Sequence, residues 1–433
     1  MGGLRLPSRA LALATSAALA FAVTPLGPGA TAEAVTAPTG AAAATAAGTV
    51  APRPPLPTAD PFYTYPGPLA RVPPGTVLKA RSLSVGARAG LSVAQVLYRT
   101  TGQLGGPAMT VATIIAPENS RGPRKIVAYQ EAYDGLGPQC EPSYELQSGI
   151  GDLKPISPYL NLGLVLVLAD YEGTHFEWTA GQAEGYATLD AVRAAENFLR
   201  LPHRSTPVGL IGYSGGATAT EFAAELAPKY APGLDLVGAA TGGLSVDLAH
   251  NLEYINGSSY WSAVIPMSLV GLGRAFHIPL STYLSAYGQE VTAAVSGQCL
   301  GHEAGKYPGL TVQQLFKPQY HDIFAIPTFA RVLNRLIMGR SGTPRVPLFI
   351  GEGNSDGTGD GVMVFKDVEA LAHAYCQRGV SVLFQEYKGR DHDQAVPLFV
   401  AGALSFLGKT FLGLPPANNC SSIGPGGSLA PLG

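Results

Sequence analysis

Residues 207–226 read PVGLIGYSGGATATEFAAEL, and this stretch decides the fold. The apolar run PVGLIG is typical of a strand buried on both faces, and the Ala-rich run after it is typical of a helix. Between them, GYSGG (212–216) matches the G-x-S-x-G turn, in which a serine stands at the sharp bend from strand to helix. The stretch predicts Ser214 as a nucleophile and the Gly215 N–H as an oxyanion donor.

A second match to the same pattern, GNSDG, occupies residues 353–357. The chain has 54 glycines, so a chance match is expected. The run GTGDG (357–361) overlaps this match and is a poor start for a helix, because glycine weakens helices. The context therefore favours Ser214, and Ser355 is interpreted as a loop serine.

Other apolar runs alternate with helical patterns along the chain. Strands are predicted at 109–116, 125–129, 163–169, 207–212, 236–240, 346–350 and 380–387, and helices at 185–199, 217–226, 368–378 and 396–407. Several of the strand runs are continuously apolar, as in a parallel sheet covered by helices on both faces. The pattern predicts an α/β fold with a mostly parallel, doubly wound sheet.

One region breaks the alternation. Residues 244–343 contain no clear buried strand and hold aromatic and aliphatic segments. We interpret them as a helical insertion that caps the C-terminal edge of the sheet and divides the core into residues 58–243 and 344–423.

The two ends of the chain differ from the rest in composition. Residues 1–32 have a basic start, a short apolar run and small residues, which together predict a cleaved signal peptide and a secreted protein. Residues 33–57 are rich in Ala, Thr and Pro and are expected to be a disordered leader, and residues 424–433 a disordered tail. The apolar run is too short to span a bilayer, so no integral membrane association is expected.

Charge and cysteine content narrow the function. The net charge is −2 without any basic run, which does not support nucleic-acid binding. Only 13% of the residues are charged, and this favours an enzyme that acts on apolar material. Four cysteines in an exported chain predict two disulfides, with three possible pairings. A monomer without metal or cofactor is expected.

The base and the acid of a serine hydrolase should follow the nucleophile in the order acid, then histidine. His392 lies in the polar segment after the final strand, where a catalytic base would reach Ser214. The loop after the strand that ends at Ile350 supplies two candidate acids, Asp356 and Asp360. We prefer Asp356 because a residue near the strand end is held in place more tightly. Together with Glu352 these carboxylates could also form a calcium loop, but the spacing of a known calcium motif is absent.

These residues predict a two-step acyl transfer from a lipid or other ester to Ser214 and then to water. A lipase is the preferred interpretation. A short-chain esterase or an acyltransferase would use the same residues, and a non-catalytic binding protein could retain the fold.

Three separated clusters of motif residues indicate a family. They consist of Tyr129-Gln130, Asp134, Cys140 and Pro142-Ser143-Tyr144; then residues 212–216; then Cys376, Gly379, Phe384, Tyr387 and His392. In order and spacing these clusters, within a match from about Pro61 to Cys420, resemble the secretory lipase family of the yeast lipase A type. The resemblance implies an α/β-hydrolase core with a helical cap and triacylglycerol or simpler ester substrates.

The resemblance also implies roles for single residues. It implies disulfides Cys140–Cys299 and Cys376–Cys420. It implies that Asp134 supplies the second oxyanion contact, through a protonated side chain or its backbone. It leaves the acid open: counting back from His392 gives Asp360, and counting forward from Pro347 gives Asp356.

Overall fold

The structure is a computed structural model that describes residues 53–85, 90–119, 124–149 and 154–433. The predicted signal peptide and most of the predicted leader, residues 33–52, lie outside the described residues.

A nine-stranded sheet forms the centre of the described chain, in the order β1-β2-β3-β5-β4-β6-β7-β8-β9. The strands are β1 Val77–Leu83, β2 Leu91–Thr101, β3 Pro107–Pro117, β4 Ile126–Gln130, β5 Val165–Ala169, β6 Pro207–Tyr213, β7 Asp235–Gly242, β8 Leu348–Asn354 and β9 Val382–Lys388. From β5 to β9 all neighbours are parallel, whereas β1, β2 and β3 pair antiparallel and join the sheet at β5. The predicted mostly parallel sheet is confirmed, and all seven predicted strand runs fall on β3 to β9.

Helices cover both faces of this sheet. The longer ones are α3 Gly181–Leu199, α4 Gly215–Tyr230, α12 Phe365–Gln377 and α13 His392–Phe411, and α1 Pro142–Ser148 and α2 Ser157–Asn161 are short. The alternation of side chains along a strand explains the two layers. In β5, Val165 and Val167 belong to the apolar cluster that also contains residues of α3, α4 and α12, whereas Leu166 and Leu168 belong to the cluster that contains residues of α2 and α13.

The insertion between β7 and β8 consists of helices. They are α5 Leu248–Tyr254, α6 Val264–Ala275, α7 Leu280–Tyr283, α8 Ala286–Val295, α9 Leu300–Glu303, α10 Val312–Leu315 and α11 Pro327–Leu336. None of residues 244–343, all of which the structure describes, lies in a strand. These helices bury an apolar cluster of their own, with Leu269, Leu315 and Phe329 at its centre.

The C-terminal segment corrects one prediction. Residues 424–433 are not a disordered tail, because they are bonded to helices of the fold. The Gly427 N–H donates to the Lys366 carbonyl at 2.7 Å. Leu432 exchanges two hydrogen bonds with the Asn334 side chain, at 2.7 and 3.0 Å. Backbone hydrogen bonds to fixed partners offset the low apolar content from which disorder was predicted.

Among the described residues, α13 is the one helix long and apolar enough to cross a membrane. It packs against β6, β7 and β8. Phe399, Ala403 and Leu407 are buried in that contact, so its apolar face belongs to the core.

Candidate active site

Ser214 lies at the bend between β6 and α4. Its backbone has φ +56° and ψ −125°, a strained conformation for a residue with a side chain. Its N–H donates to the Gly242 carbonyl at 2.9 Å, which ties the bend to β7. A Cβ at Gly212 would come within 2.0 Å of the Gly216 carbonyl oxygen. The end of β6 and the start of α4 therefore lie so close together that only glycine fits at position 212. The structure thus contains the strand-to-helix turn that GYSGG predicts.

His392 joins Ser214 to a carboxylate. The Ser214 Oγ and His392 Nε2 are 2.9 Å apart, and His392 Nδ1 is 2.5 Å from Asp360 Oδ2. His392 is 5% exposed and is the first residue of α13, directly after the polar segment in which it was expected. Its backbone N–H also donates to the Asp360 carbonyl, so the pair is held twice.

Asp360 is fully buried and completely hydrogen-bonded. Its other carboxylate oxygen accepts the N–H groups of Val362 and Met363, at 2.9 and 2.7 Å. Burial alone would raise the pKa of Asp360, but the charge and hydrogen bond of His392, together with the N–H groups of Met363 and Val362, outweigh burial and lower it. Burial alone would lower the pKa of His392, and Asp360 in turn raises it. The pair is therefore arranged as a carboxylate that stabilises an imidazolium.

Asp356, the preferred acid, does not contact His392. It is exposed, and its Oδ2 accepts a hydrogen bond from the Tyr254 hydroxyl at 2.9 Å. Its Oδ1 accepts the N–H groups of Thr358 and Gly359, which closes a local turn. The preference for Asp356 is wrong, because this turn holds its carboxylate at the surface and the chain reaches His392 only four residues later.

Ser355, the serine of the second G-x-S-x-G match, is exposed. Its Oγ donates to the Gly359 carbonyl at 3.1 Å, and the next helix, α12, begins only at Phe365. It is a loop serine, as predicted.

Glu352 lies behind Asp360 and was not predicted to be part of this site. It is fully buried on β8, and one carboxyl oxygen accepts the Leu244 N–H at 3.0 Å. The other oxygen has no donor apart from a proton shared with Asp360. Burial and the charge of Asp360 raise the pKa of Glu352 well above its ordinary value, so Glu352 carries the shared proton and donates it to Asp360.

Asp134 lies on the other side of Ser214. Its Oδ1 accepts the Trp178 indole N–H at 2.8 Å, and its backbone has φ +40°. A Cβ at Gly215 would come within 1.8 Å of this oxygen, so a side chain at position 215 would displace the carboxyl group. Burial raises the pKa of Asp134 to about 6. Asp134 thus lies beside Gly215, the residue after Ser214, and its role as the second oxyanion contact stays a prediction.

A small cavity of about 50 Å³ opens at these residues. Its wall combines residues from the elbow, from the 178–184 segment and from the insertion, which contributes most of the apolar surface. The lining residues from the insertion and its flanks include Leu248, Leu252, Ile255, Trp261, Val264 and Leu300. The insertion therefore covers Ser214 with apolar side chains.

The structure forms both disulfides that the family resemblance implies, Cys140–Cys299 and Cys376–Cys420. Beside the first, the Leu136 N–H donates to the Gln298 carbonyl and the Leu300 N–H to the Asp134 carbonyl, at 2.9 and 2.8 Å. We call residues 298–300, with this disulfide and these two bonds, the strap. It fixes the insertion to the segment that carries Asp134.

Residues 146–419 match the model of the secretory lipase family. The match spans more than half of the chain. This protein belongs to the secretory lipase family.

Two relatives illustrate the range of this secretory lipase family. The chain is 31% identical to a probable inactive lipase of Mycobacterium tuberculosis over 385 residues, covering 84% of each protein. It is 32% identical to the trichothecene C-3 esterase of Fusarium sporotrichioides over 382 residues, covering 82% of this chain and 84% of that one. These relatives identify the chain as a carboxylic-ester hydrolase. Because one of them is described as probably inactive, the residues of the site itself have to be considered.

Among solved structures, this member of the family resembles Candida antarctica lipase A in its closed state. The TM-score is 0.79 at 28% identity, and the alignment covers 86% of this chain and 90% of the other. The α/β-hydrolase fold that the resemblance implied is confirmed.

Sequence reasoning considered Glu352 only as a ligand of a possible calcium loop and missed its place behind Asp360, although a signal was present. Glu352 interrupts the apolar run LFIGEGN of β8, and an acid at the centre of a buried strand needs a partner.

The described residues contain no group of three or more His, Cys, Asp and Glu side chains that could hold a metal ion.

Proposed function

We propose that this protein is a secreted serine ester hydrolase that forms an acyl-enzyme at Ser214. The observation that carries the proposal is the unbroken chain of hydrogen bonds from Ser214 through His392 to Asp360, next to the Gly215 N–H. Nucleophile, base and orienting acid are all present with contact distances that permit proton transfer.

In the first step, His392 Nε2 takes the Ser214 proton while Oγ attacks the ester carbonyl. The Gly215 N–H and Asp134 stabilise the negative oxygen, and Asp360 stabilises the imidazolium. His392 then gives the proton to the leaving alcohol. In the second step, water loses a proton to His392 and attacks the acyl carbonyl, and Ser214 leaves with that proton.

Among ester substrates, the cavity favours apolar acyl groups, because the insertion covers Ser214 with aliphatic and aromatic side chains. We therefore propose a lipase in which residues 244–343 act as a cap, with export directed by residues 1–32. A short-chain esterase is the second candidate, favoured by the small cavity of about 50 Å³.

A fluorophosphonate probe tests the proposal directly. The wild-type protein should be labelled at Ser214, Ser214→Ala should remain unlabelled, and Ser355→Ala should be labelled like the wild type. Absence of labelling in the folded wild type would place this protein with inactive relatives. Hydrolysis of an ester series from acetate to oleate then separates lipase from esterase: activity on acetate alone would exclude a lipase.

A further inference from the structure

Glu184 occupies an unusual place in the cavity wall. It lies in the first turn of α3, is 1% exposed, and lines the same cavity as Ser214. The N–H groups of Thr179 and Ala180 donate to its carboxyl group. Its Oε1, however, is buried without a hydrogen-bond partner. An unpaired buried oxygen costs stability, so it needs an explanation.

Two hydroxyl groups in the same wall share this property. Ser268 on α6 is fully buried, and neither its Oγ nor the Thr179 Oγ1 has a partner. Both residues line the cavity with Glu184. They also lie close together: one turn after Ser268, a Cβ at Gly271 would come within 2.2 Å of the Trp178 carbonyl oxygen. The face of α6 that carries Ser268 therefore contacts the segment that carries Thr179.

The backbone at Thr179 is also under strain. Its φ of +66° is a genuine outlier for a β-branched residue. Strained backbone persists where the surrounding structure enforces it, and it concentrates at ligand sites. Here it turns the chain between Trp178, which bonds Asp134, and the start of α3.

The charge state of Glu184 limits what this group can bind. Burial and the neighbouring Asp134 raise the pKa of Glu184 well above its ordinary value, and the same causes raise the pKa of Glu172. A neutral carboxyl and two hydroxyls can each donate and accept. An anion would be repelled when any of these acids ionises, and an alkyl chain would leave three polar atoms unpaired. A hydroxyl group of the ligand can both donate and accept a hydrogen bond, so it matches these three groups.

We propose that Thr179, Glu184 and Ser268 form a polar subsite that binds a free hydroxyl group of the substrate ester. The preferred substrates are then hydroxylated esters, in which an oxygen away from the scissile bond pairs with these atoms. The inference rests on the proposed function and adds a substrate class to it. A site built to bond a hydroxyl discriminates strongly against the analogue without it.

Two sets of matched esters test the subsite and identify which side of the ester carries the hydroxyl. The acyl set compares methyl octanoate with methyl octanoates hydroxylated at successive carbons. The alcohol set compares butyl butyrate with 4-hydroxybutyl butyrate. In one set, the wild type should show a kcat/KM about tenfold higher for a hydroxylated member than for its parent.

Ser268→Ala should reduce this ratio to near one, and Glu184→Leu should do the same if it folds. Ser245→Ala is the matched control: Ser245 lines the same cavity, but its Oγ bonds Asn251 at 3.2 Å, so the ratio should persist. Equal rates within both sets, or a ratio unchanged in Ser268→Ala, would refute the subsite while leaving the hydrolase intact. No hydrolysis of any ester would instead refute the proposed function.

Discussion

Two groups of buried carboxyl side chains flank Ser214, and they carry different charges. Behind His392, Asp360 has a lowered pKa and is ionised beside the protonated Glu352. On the opposite side, Asp134, Glu172 and Glu184 all have raised pKa values, with burial as the largest cause. We call these the triad pair and the neutral group.

The difference between the triad pair and the neutral group comes from their partners. Burial acts on both in the same direction. Asp360 is ionised because an imidazole and two backbone N–H groups compensate its charge. Around the neutral group, burial outweighs the charges of His392 and Arg274 and the hydrogen bonds to its members, so these acids bind protons at a higher pH than ordinary carboxyl groups do. A buried acid is thus a base-orienting group or a hydrogen-bond donor according to what it contacts.

The largest expected effect separates Asp360 from Asp356. Asp360→Asn should lower kcat about 10⁴-fold, since the amide cannot hold the correct His392 tautomer. Asp356→Asn is the matched control and should leave kcat within a few-fold, because Asp356 is exposed and bonds only Tyr254 and its own turn. Ester-hydrolysis kinetics on both variants measure this, and a reversed order would contradict the assignment.

A smaller effect is expected at Glu352. Glu352→Leu removes the hydrogen bond to Asp360 and should lower kcat by about 10- to 100-fold. It should also shift the acid limb of the pH–rate profile to higher pH, because an Asp360 without this donor raises the pKa of His392 further. Glu352→Gln keeps a donor for Asp360 and an acceptor for the Leu244 N–H. Its kcat and the position of its acid limb should therefore stay near those of the wild type. An unshifted limb in Glu352→Leu would mean that Glu352 has only a structural role.

Asp134→Asn should change the shape of the pH profile more than its height. If the protonated side chain donates to the oxyanion, the active form needs both a protonated Asp134, with a pKa of about 6, and a neutral His392, whose pKa is raised above its ordinary value. Wild-type activity should then have a maximum between these two pKa values and fall on both sides of it. An asparagine donates at every pH, so the bell should become a curve that rises to a plateau. A bell that persists in Asp134→Asn would assign the contact to the backbone N–H.

The smallest effect concerns stability. Acids with raised pKa values bind protons in the folded state that the unfolded chain releases, so the free energy of unfolding should fall as pH rises from about 5 to 8. Burial raises the pKa of Glu221, remote from Ser214, to about 7. Urea unfolding should show this decline, and Glu221→Gln, which keeps a partner for Tyr375, should reduce it. Equal slopes in both proteins would show that Glu221 is ionised at neutral pH.

The parallel part of the fold could be predicted because its strands are continuously apolar. The antiparallel strands β1 and β2 were missed. Gln95 and Arg99 interrupt the apolar run of β2, and the Gln95 side chain is satisfied only by distant partners such as the Ser143 carbonyl. Such partners are invisible along the chain.

The candidate site was predictable to different depths. Ser214 and His392 follow from local context, namely a strand-to-helix turn and a polar segment after the final strand. The acid does not, because Asp356 and Asp360 share one loop and only folding shows which carboxyl group Tyr254 takes. The subsite residues Thr179 and Ser268 carry no motif and meet only through helix packing.

The strap restricts how a substrate can enter. Residues 298–300 are bonded both covalently and through the backbone to the segment of Asp134. If the whole insertion swung outward as one rigid body, it would pull Asp134, the proposed second oxyanion contact, away from Ser214. Entry of an ester therefore requires the insertion to change shape internally while residues 298–300 stay in place. Asp134 can then remain beside Ser214 while the substrate binds.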